Sequence, residues 1–428
     1  MASLIGAVRG MRDLIGEEAE LWQQLLAQVA DTCAAYGYEH IATPLLEREE
    51  LFVRSVGSDT DIIAKELYSF EDKGGERLCL RPEATASVLR ALAAAGRIGS
   101  SLARVWYAGP MFRRERPQRG RYRQFHQFGA EATGSDSPLL DAEMILLCAR
   151  LWRKLGIIDS LELQINNLGS ADERRAYRER LQEYLRSRQA DLDDTARARL
   201  ESNPLRILDS KDEQTLAALA EAPELNDFLG EQSRSHLAQV LDHISGEDLP
   251  VTENRRLVRG LDYYNLTVFE WVIKDEQRRQ NAIAGGGRYD ALARMLGAPA
   301  APGVGFAAGI ERIIELGARA ARVQSGADVF VAAGEDAVSP VALARVSERL
   351  RDAGLTVIQE LRSGKIRELF RRADRSAAQV AVVIGKREAA AGTATVKHLR
   401  RELAQREVGQ GDLAAAVQEM INQDQECK

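Results

Sequence analysis

Two strand-like segments on either side of an arginine-rich loop constrain the fold of this chain most. Polar and aromatic side chains alternate in residues 121–131 (RYRQFHQFGAE), and residues 104–112 (RVWYAGPMF) form a matching segment before the loop. Alternation with a period of two is typical of a β-strand, whose side chains point in turn to the two faces of a sheet. Pro117 and Gly120 lie between the segments and favour a turn. The sequence therefore predicts an antiparallel hairpin rather than a strand–helix–strand unit.

The loop of this hairpin concentrates positive charge. Six arginines fall within the eleven positions from Arg113 to Arg123, and Glu115 is the one acidic residue among them. The 428-residue chain as a whole has a formal net charge of −6. It is therefore not a general binder of polyanions held by overall charge, and any nucleic acid must be met by a local basic patch.

One face of the second strand predicts a nucleotide site. Alternation places Arg123, Phe125, Gln127 and Glu131 on this face, with a gap at Gly129. A solvated strand with a chance run of arginines is the alternative explanation of the alternation alone. Arginines at the base of a hairpin suit phosphate oxygens, and the ring of Phe125 offers a flat surface for a purine. The site is unlike a P-loop, because the GxxxxGK[ST] pattern does not occur in the chain.

Three glycines near the end of the first domain offer a rival motif. Gly303, Gly305 and Gly309 form GxGxxxG, which is similar to a dinucleotide-binding fingerprint. The preceding residues, LGAPAAPG, form a proline-broken loop rather than the first strand of such a fold, which argues against it. We expect the glycines to let the backbone approach a ligand closely. Arg312, in the first turn of the next helix, then either points at phosphate or lies on a solvated helix face.

The remaining pattern divides the chain into regions. Helical spacing marks residues 17–38 and 135–156, and the composition from about residue 172 to 247 predicts a helical insertion. A domain boundary is expected near residues 318–327, because strands and helices alternate beyond it at lengths suited to parallel strand–helix–strand units.

Cysteine placement and hydropathy exclude several classes of protein. The four cysteines form no CxxC pair and no Cys/His array, so neither a disulfide framework nor a zinc site is expected. The N-terminal apolar stretch is too short for a secretory signal, and no segment approaches eighteen uninterrupted apolar residues. We therefore expect a cytoplasmic protein without a membrane segment.

Five segments together resemble the class II aminoacyl-tRNA synthetases. FRRERPQRGRYRQFHQFGAE looks like motif 2 of that class, and GVGFAAGIERIIEL looks like motif 3. The opening helix with GYEHIATPLLE resembles motif 1, whose proline, here Pro44, lies at the dimer interface. LVRGLDYYNLTVFEW (257–271) and AGGGRYD (284–290) are similar to the signatures of the histidyl-tRNA synthetases. The resemblance covers essentially the whole chain, including NPLRILDSK at 203–211.

The resemblance implies a fold and a reaction. The fold would be an α+β catalytic domain over residues 1–325, with a six-stranded antiparallel sheet, flanking helices and a helical insertion at about 170–250, followed by an α/β anticodon-binding domain over 326–428. The reaction would be that of a histidine–tRNA ligase: ATP and L-histidine form histidyl-adenylate and diphosphate, and histidine passes to the 3′ end of tRNA-His. The protein would be a homodimer, and Mg²⁺ would accompany ATP without a dedicated protein metal site.

The resemblance also implies roles for individual residues. Arg113 and, opposite it, Arg259 would be the catalytic groups at the α-phosphate, and Phe125 would stack on adenine. The ATP-binding set would be Arg113, Glu115, Arg121, Phe125, Gln127 and Arg312. The histidine-binding set would be Glu83, Thr85, Gln127, Glu131, Tyr263, Tyr264, Gly285 and Gly286, with Glu131 and Tyr264 at the imidazole. Arg116 and Gln118 would contact the tRNA acceptor end.

The sequence departs from the family pattern in two places, and two alternative functions remain open. Arg114 stands where bacterial relatives commonly carry histidine, and the tail segment GKREAAAGTATVKHLRRELAQ is unusually basic; both bear on tRNA contact rather than on the reaction. One alternative is a non-aminoacylating regulatory paralogue that partners ATP phosphoribosyltransferase, although such proteins lack the tail and keep the signatures poorly. The other is a nucleotide-binding structural protein, which explains the arginines but not the histidine signatures.

Overall fold

A large β-sheet organises the longer of two compact units in the structure, which is a computed structural model. The units comprise Met1–Ala321 and Arg322–Lys428. The structure describes residues 5–57, 60, 62–99, 101–118, 120–210, 212–258, 263–275, 281–317 and 326–422.

The elements of the first unit follow the predicted order closely. Its strands are β1 (Glu39–His40), β2 (Leu46–Arg48), β3 (Tyr68–Glu71), β4 (Arg77–Leu80), β5 (Ala103–Phe112), β6 (Gln124–Thr133), β7 (Leu161–Asn167), β8 (Val251–Glu253), β9 (Asn265–Ile273), β10 (Ala282–Arg288) and β11 (Gly303–Gly309). Its α-helices are α1 (Glu17–Ala35), α2 (Glu49–Val56), α3 (Thr85–Ala94), α4 (Pro138–Lys154), α5 (Ala171–Ser187), α6 (Asp194–Arg199), α7 (Glu213–Ala218), α8 (Glu231–Ile244), α9 (Leu292–Met295) and α10 (Ile310–Glu315).

The large sheet confirms the predicted antiparallel core and extends it at both edges. Within the described residues, eight strands lie in the order β1-β5-β6-β11-β10-β9-β7-β8. The six strands from β5 to β7 pair antiparallel throughout. The short strands β1 and β8 pair parallel to β5 and β7, so the full sheet is mixed. A separate small sheet has the order β2-β4-β3 and leads into α3.

The predicted hairpin is formed by β5 and β6, in register from Ala103↔Thr133 to Phe112↔Gln124. The second strand begins at Gln124 rather than at the expected residue 121. Gln118 and Arg121 exchange backbone hydrogen bonds of 3.2 and 2.9 Å in a tight turn, and the N–H of Arg123 donates to Gly10 O at 2.7 Å. The backbone between turn and strand is therefore bonded partly to the N-terminal segment.

The helical insertion contributes to both faces of the sheet. Helix α8 joins α1 and α4 in one hydrophobic core, with Trp152 and Trp271 among its fully buried members. Helices α3, α5 and α9 pack in the core of the opposite face, where Tyr177 and Leu181 of α5 are buried. The second face carries the polar residues of the candidate site, so the insertion forms part of its surroundings.

The second unit contains a five-stranded mixed sheet among its described residues. Its elements are β12 (Val329–Ala333), α11 (Pro340–Asp352), β13 (Val357–Gln359), α12 (Ile366–Arg375), β14 (Val380–Ile384), α13 (Lys386–Ala391), β15 (Thr393–His398), β16 (Arg406–Gly409) and α14 (Leu413–Asn422). The predicted parallel arrangement holds for β13, β12 and β14, whereas β15 and β16 are antiparallel. The cause is local: the connection from β14 to β15 contains only the six-residue helix α13, which is capped by Gly392 with a φ of 67°, and a parallel crossover needs about a dozen residues or more.

In the part of the chain that the structure describes, none of the helices has both the length and the apolar character needed to cross a lipid bilayer.

Candidate active site

An open cleft of about 290 Å³ lies where the hairpin base meets β10 and β11. Its lining includes the side chains predicted for ATP, namely Arg113, Glu115, Arg121, Phe125, Gln127 and Arg312, together with Gly285. The structure therefore brings these residues together from the hairpin, from β10 and from α10.

Arg113 is fixed at the base of the hairpin by two contacts. Its Nε donates to the main-chain oxygen of Pro82 at 3.0 Å, and its guanidinium carbon lies 5.2 Å from the ring centre of Phe125. A cation at this distance from an aromatic ring is attracted to the ring face. The two contacts hold a guanidinium group and a flat ring side by side in the cleft.

Two further guanidinium groups converge on the same space. Arg312 donates through Nη1 to Ala282 O at 2.6 Å and through Nε to Gly120 O at 3.3 Å, which ties α10 to β10 and to the hairpin turn. Burial lowers the pKa of Arg312, and the charges of Arg121 and Arg113 lower it further. Such mutual repulsion is relieved by an anion, so the cleft suits the phosphates of a nucleotide.

Glu115 partly compensates this charge. Its carboxylate forms an ion pair with Arg121 at 3.1 Å. Burial raises the pKa of Glu115, while the neighbouring arginines Arg121 and Arg113 oppose that shift. The carboxylate thus holds Arg121 in a defined position near the cleft.

Beside the cleft, a fully buried carboxyl group is the centre of a polar cluster. The hydroxyl of Thr85 donates to Oε1 of Glu131 at 2.7 Å, and the hydroxyl of Tyr289 donates to Oε2 at 2.5 Å. Burial raises the pKa of Glu131 to about 8, and the nearby charge of Glu83 adds to the rise, while the two hydroxyl donors oppose it. At neutral pH the protonated form of this carboxyl group therefore predominates.

Three tyrosine rings form one wall of the cluster. The ring centres of Tyr263 and Tyr264 lie 4.6 Å apart, and that of Tyr289 lies 5.8 Å from Tyr263 and 6.5 Å from Tyr264. Burial raises the pKa of the Tyr263 and Tyr289 hydroxyls well above the usual value. These groups therefore stay protonated and serve as hydrogen-bond donors.

Glu83 joins the cluster to the start of a helix. Its carboxylate accepts hydrogen bonds from the backbone N–H groups of Thr85 and Ala86, at 2.6 and 3.1 Å, at the N-terminus of α3. Burial raises the pKa of Glu83, and the charge of Arg113 acts in the opposite direction. A carboxylate at a helix N-terminus is stabilised by the unpaired N–H groups there.

One buried polar atom at the cleft lacks a hydrogen-bond partner. Within the described residues, it is the side-chain oxygen Oε1 of Gln127. Unpaired buried polar groups are costly, so such atoms at a cavity are suited to bind the polar groups of a ligand.

The glycines of β11 make room for side chains of the site. A Cβ atom at Gly305 would lie 1.8 Å from Oε2 of Glu131, and one at Gly303 would lie 2.4 Å from Cε2 of Tyr289. The expectation that these two glycines admit a ligand is thus corrected: their neighbours are the ring and the carboxyl group that build the pocket. Gly286 packs against β11 in a similar way, because a Cβ atom there would lie 2.1 Å from Gly305 O.

Two details of the predicted strand face also need correction. The gap at Gly129 is filled, because a Cβ atom there would lie 2.4 Å from the hydroxyl of Tyr107. Arg123 does not reach the cleft: its Nε donates to Glu115 O and its Nη1 to Arg9 O, both at 3.4 Å. Its position before β6 removes it from the alternation of that strand.

The other predicted site residues lie as follows. Glu83, Thr85, Glu131, Tyr263 and Tyr264 are in the polar cluster, while Gly285 and Gly286 lie on β10. Arg116 and Gln118 belong to the hairpin loop, and Gln118 forms its turn. Arg259 lies outside the described residues.

Sequence reasoning missed two tyrosines of the cluster. Tyr289 is part of AGGGRYD, which had indicated a site without a role for this ring. Tyr107 lies directly opposite Gly129 in the hairpin. A register assigned to the two strands would therefore have indicated that a large side chain covers this glycine.

An antiparallel six-stranded core, with arginines at the base of one hairpin and at a strand–helix junction, defines the fold of the class II aminoacyl-tRNA synthetases. The chain belongs to the histidyl-tRNA synthetase family, whose model matches residues 10–313. A model described as an anticodon binding domain matches residues 328–420.

Solved structures of similar proteins agree with this family. Apo histidyl-tRNA synthetase from S. aureus is 29% identical, with a TM-score of 0.80 over 97% of this chain and 100% of that one. Histidyl-tRNA synthetase from Nostoc sp. PCC 7120 is 23% identical, with a TM-score of 0.70 over 98% and 100% of the two chains. A protein from Bacillus halodurans C, described as an ATP phosphoribosyltransferase regulatory subunit/histidyl-tRNA synthetase, is 21% identical, with a TM-score of 0.64 over 90% and 99%. The last two likenesses concern the fold alone.

Proposed function

We propose that this protein is a histidine–tRNA ligase. It activates L-histidine with ATP to histidyl-adenylate and diphosphate, and then transfers histidine to the 3′ end of tRNA-His. The observation that carries the proposal is the buried Glu131 carboxyl group, held by Thr85 and Tyr289. It lies beside a cleft with three arginines.

Activation needs positioning and fixed positive charge rather than a protein nucleophile. The carboxylate of histidine attacks the α-phosphorus of ATP, and negative charge spreads over the phosphoryl oxygens as diphosphate leaves. Arg113, held between Pro82 O and the ring of Phe125, stabilises that charge, while Phe125 stacks on adenine. Arg121 and Arg312 bind the terminal phosphates. Arg259 acts on the α-phosphate opposite Arg113.

Specificity comes from the buried polar cluster. Glu131 and Tyr264 bind the two ring nitrogens of the imidazole, and Gln127, with its unpaired oxygen, binds the α-amino group together with Glu83 and Thr85. An amino acid without these polar atoms leaves the buried groups unpaired, which rejects it by roughly 10⁴–10⁵. Gly285 and Gly286 form the floor of this pocket.

The metal ion and the larger partners complete the proposal. Mg²⁺ arrives with ATP, and the described residues hold no group of three or more His, Cys, Asp or Glu arranged as a metal site. Residues 1–325 form the catalytic domain of a homodimer with Pro44 at its interface, and residues 326–428 bind the anticodon. Arg116 and Gln118 in the hairpin loop contact the acceptor end of the tRNA.

A regulatory subunit of ATP phosphoribosyltransferase is the competing function, and one experiment separates the two. ATP–diphosphate exchange is measured with each of the twenty amino acids, followed by charging of a tRNA-His transcript. The ligase supports exchange and charging with histidine and with no other amino acid. Exchange absent with every amino acid identifies the regulatory subunit or a structural nucleotide-binding protein, and would contradict the proposal.

A further inference from the structure

A buried ion pair connects β10 to the face of the sheet opposite the polar cluster. Arg288, at the end of β10, bonds to Asp141 of α4, and both side chains are fully buried. Nε2 of His236, on helix α8, lies 3.4 Å from Oδ1 of Asp141. Neither charge of the pair lines the cleft. Burying two charges is costly and by itself adds little stability, so the position of this pair needs an explanation.

Arg288 uses all three of its side-chain nitrogen atoms. Nε donates to both carboxylate oxygens of Asp141, at 3.2 and 3.1 Å, and Nη2 donates to Oδ2 of the same residue and to Ser137 O, the latter at 3.1 Å. Nη1 donates to Ser135 O at 3.0 Å and to Oδ1 of Asp290 at 3.2 Å. Burial alone would lower the pKa of Arg288, but the charge of Asp141 raises it. The guanidinium group therefore stays charged and holds the end of β10 to α4 and to the segment before α4.

Tyr289 follows Arg288 directly and points to the other face of the sheet. Successive side chains along a strand alternate between the two faces, so Arg288 reaches α4 while the ring of Tyr289 packs in the polar cluster. The pairing of β10 with β9 shifts register between Gly287 and Arg288. An irregularity of this kind changes the direction in which the next side chains project. Regular strand pairing therefore does not by itself fix the direction of Tyr289.

Asp290 holds the chain on the other side of Tyr289. Its backbone N–H donates to Oδ1 of Asn265 at 2.8 Å, and its Oδ2 accepts from Nδ2 of the same residue at 2.9 Å. Its Oδ1, which bonds to Arg288, also accepts from the N–H of Gly303 at 3.2 Å. Tyr289 thus lies between two residues that are bonded to each other and to three separate parts of the sheet and its helices.

We propose that Arg288, held by the carboxylates of Asp141 and Asp290, is a positioning residue that sets the hydroxyl group of Tyr289 against Glu131. The hydroxyl donates to Oε2 of Glu131 at 2.5 Å. A hydrogen bond tolerates only a few tenths of an ångström and a limited range of angles, so a small shift of the backbone at residue 289 breaks it. Through this bond the ion pair sets the affinity for histidine, a consequence that rests on the proposed function.

The first test measures KM values of the full-length protein by ATP–diphosphate exchange. Asp141→Asn leaves Arg288 without its charged partner. It should raise the KM for histidine about tenfold, on the scale of one buried hydrogen bond, and leave the KM for ATP within about twofold. Glu143→Gln is the matched control, because Glu143 lies on the same helix and binds Arg104 of β5 through two hydrogen bonds, at 2.9 and 3.1 Å. Equal rises in the KM for histidine in the two variants would show a general effect of α4 and overturn the proposal.

The second test asks whether Asp141 acts through Tyr289. If it does, its effect disappears once the hydroxyl group is absent, so in the Tyr289→Phe background Asp141→Asn should change the KM for histidine less than about twofold. Independent effects would multiply to about a hundredfold and overturn the proposal, as would an unchanged KM in the single variant. If Asp141→Asn does not fold, Asp290→Asn takes its place in the same cycle. The side chain of Asp290 is 30% exposed, so this substitution is milder, and the same two results decide.

A measurement without substrates separates this inference from the proposed function. The protonated carboxyl group of Glu131 gives an infrared C=O band, which is identified as the band that Glu131→Gln removes. Its frequency depends on the hydrogen bonds that the group accepts. Tyr289→Phe and Asp141→Asn, or Asp290→Asn in its place, should therefore shift the band in the same direction, and Glu143→Gln should leave it unmoved. A band that only Tyr289→Phe shifts would overturn the positioning role. If the protein activates no histidine, the proposed function fails, and the band still decides whether Arg288 positions Tyr289.

Discussion

The hydroxyl group of Tyr289 donates to Oε2 of Glu131, and the two side chains cover Gly303 and Gly305 of the same strand, β11. The pocket wall therefore depends on the absence of side chains from that strand as much as on the hydrogen bond itself. In sequence the donor and acceptor are 158 residues apart, so the contact forms only when β6, β10 and β11 are paired.

Gly305→Ala should disrupt the pocket. The added methyl group would lie 1.8 Å from the Glu131 carboxyl group. Because β11 is paired with a strand on each side, its backbone has little room to shift and remove the clash. We expect a loss of stability of about 1–3 kcal/mol, as for overpacking in a core, together with loss of histidine-dependent exchange. Gly246→Ala is the control, since a Cβ atom there has no neighbour within 4 Å. Equal urea midpoints for the two variants would contradict the prediction.

Two tyrosine variants test the proposed histidine pocket. Tyr289→Phe removes one donor from Glu131, and Tyr264→Phe removes a proposed donor to the imidazole. Each should raise the KM for histidine about tenfold, on the scale of one buried hydrogen bond, and leave the KM for ATP within about twofold. If the KM for ATP rises and that for histidine does not, the pocket has been assigned to the wrong substrate.

Glu131→Gln should change the pH dependence of stability. The pKa of Glu131 in the folded chain is about 8, above its unfolded value. The stabilisation from the bound proton is therefore complete below the unfolded pKa of about 4.5 and is lost as the pH rises through about 8. Glutamine stays neutral, so the stability of the variant relative to the parent should increase from pH 5 to pH 8.5. Urea unfolding of the variant and the parent at both pH values measures this difference in stability. A difference that stays the same between the two pH values would rule out a raised pKa of Glu131.

Arg113→Ala should slow adenylate formation by roughly 10²–10³, on the scale of losing one fixed transition-state donor. The fold should survive, because the side chain is only partly buried and bonds to a single main-chain oxygen. Arg114→Ala is the comparison variant. The hydrogen bond from Arg114 to Glu66 O is donated by the backbone N–H, so this substitution keeps it. Single-turnover formation of histidyl-adenylate is the measurement, and similar rates for the two variants would remove Arg113 from the reaction.

Truncation after Leu316 should separate activation from tRNA charging. The cleft and the polar cluster lie before this residue, so histidine-dependent exchange should persist if the truncated chain keeps the proposed dimer. Charging should be poor in physiological salt and recover partly at low salt, because tRNA binding draws on distributed phosphate contacts. Charging at the full rate would show that residues 328–420 do not contribute to tRNA binding.

Sequence patterning and resemblance predicted the fold well where strands and helices have regular periods. The β5–β6 hairpin follows from the alternation of side chains, and the β11–α10 junction from a strand-like segment that runs directly into a helical one. The parallel strands β12–β14 follow from the succession of strands and helices. The short edge strands β1 and β8 were not predicted, because a pattern of two or three residues is too short to be distinguished from a loop.

The candidate site was harder to predict in its supporting contacts. A period of two gives a face, but it cannot show that Tyr107 from the neighbouring strand covers Gly129 or that Tyr289 reaches Glu131. Those contacts depend on which strands become neighbours across the sheet. For Arg123, by contrast, the side-chain alternation predicted a place on the strand face that the structure does not give it. The reason is that its backbone N–H bonds to the N-terminal segment and the strand begins one residue later.

The layer of side chains over β11 also has a use in engineering. The ring of Tyr289 occupies space that Gly303 leaves free, so a smaller residue at position 289 would leave a cavity over the strand. For the histidine–tRNA ligase proposed above, position 289 would be the starting point for engineering the use of histidine analogues with bulky ring substituents.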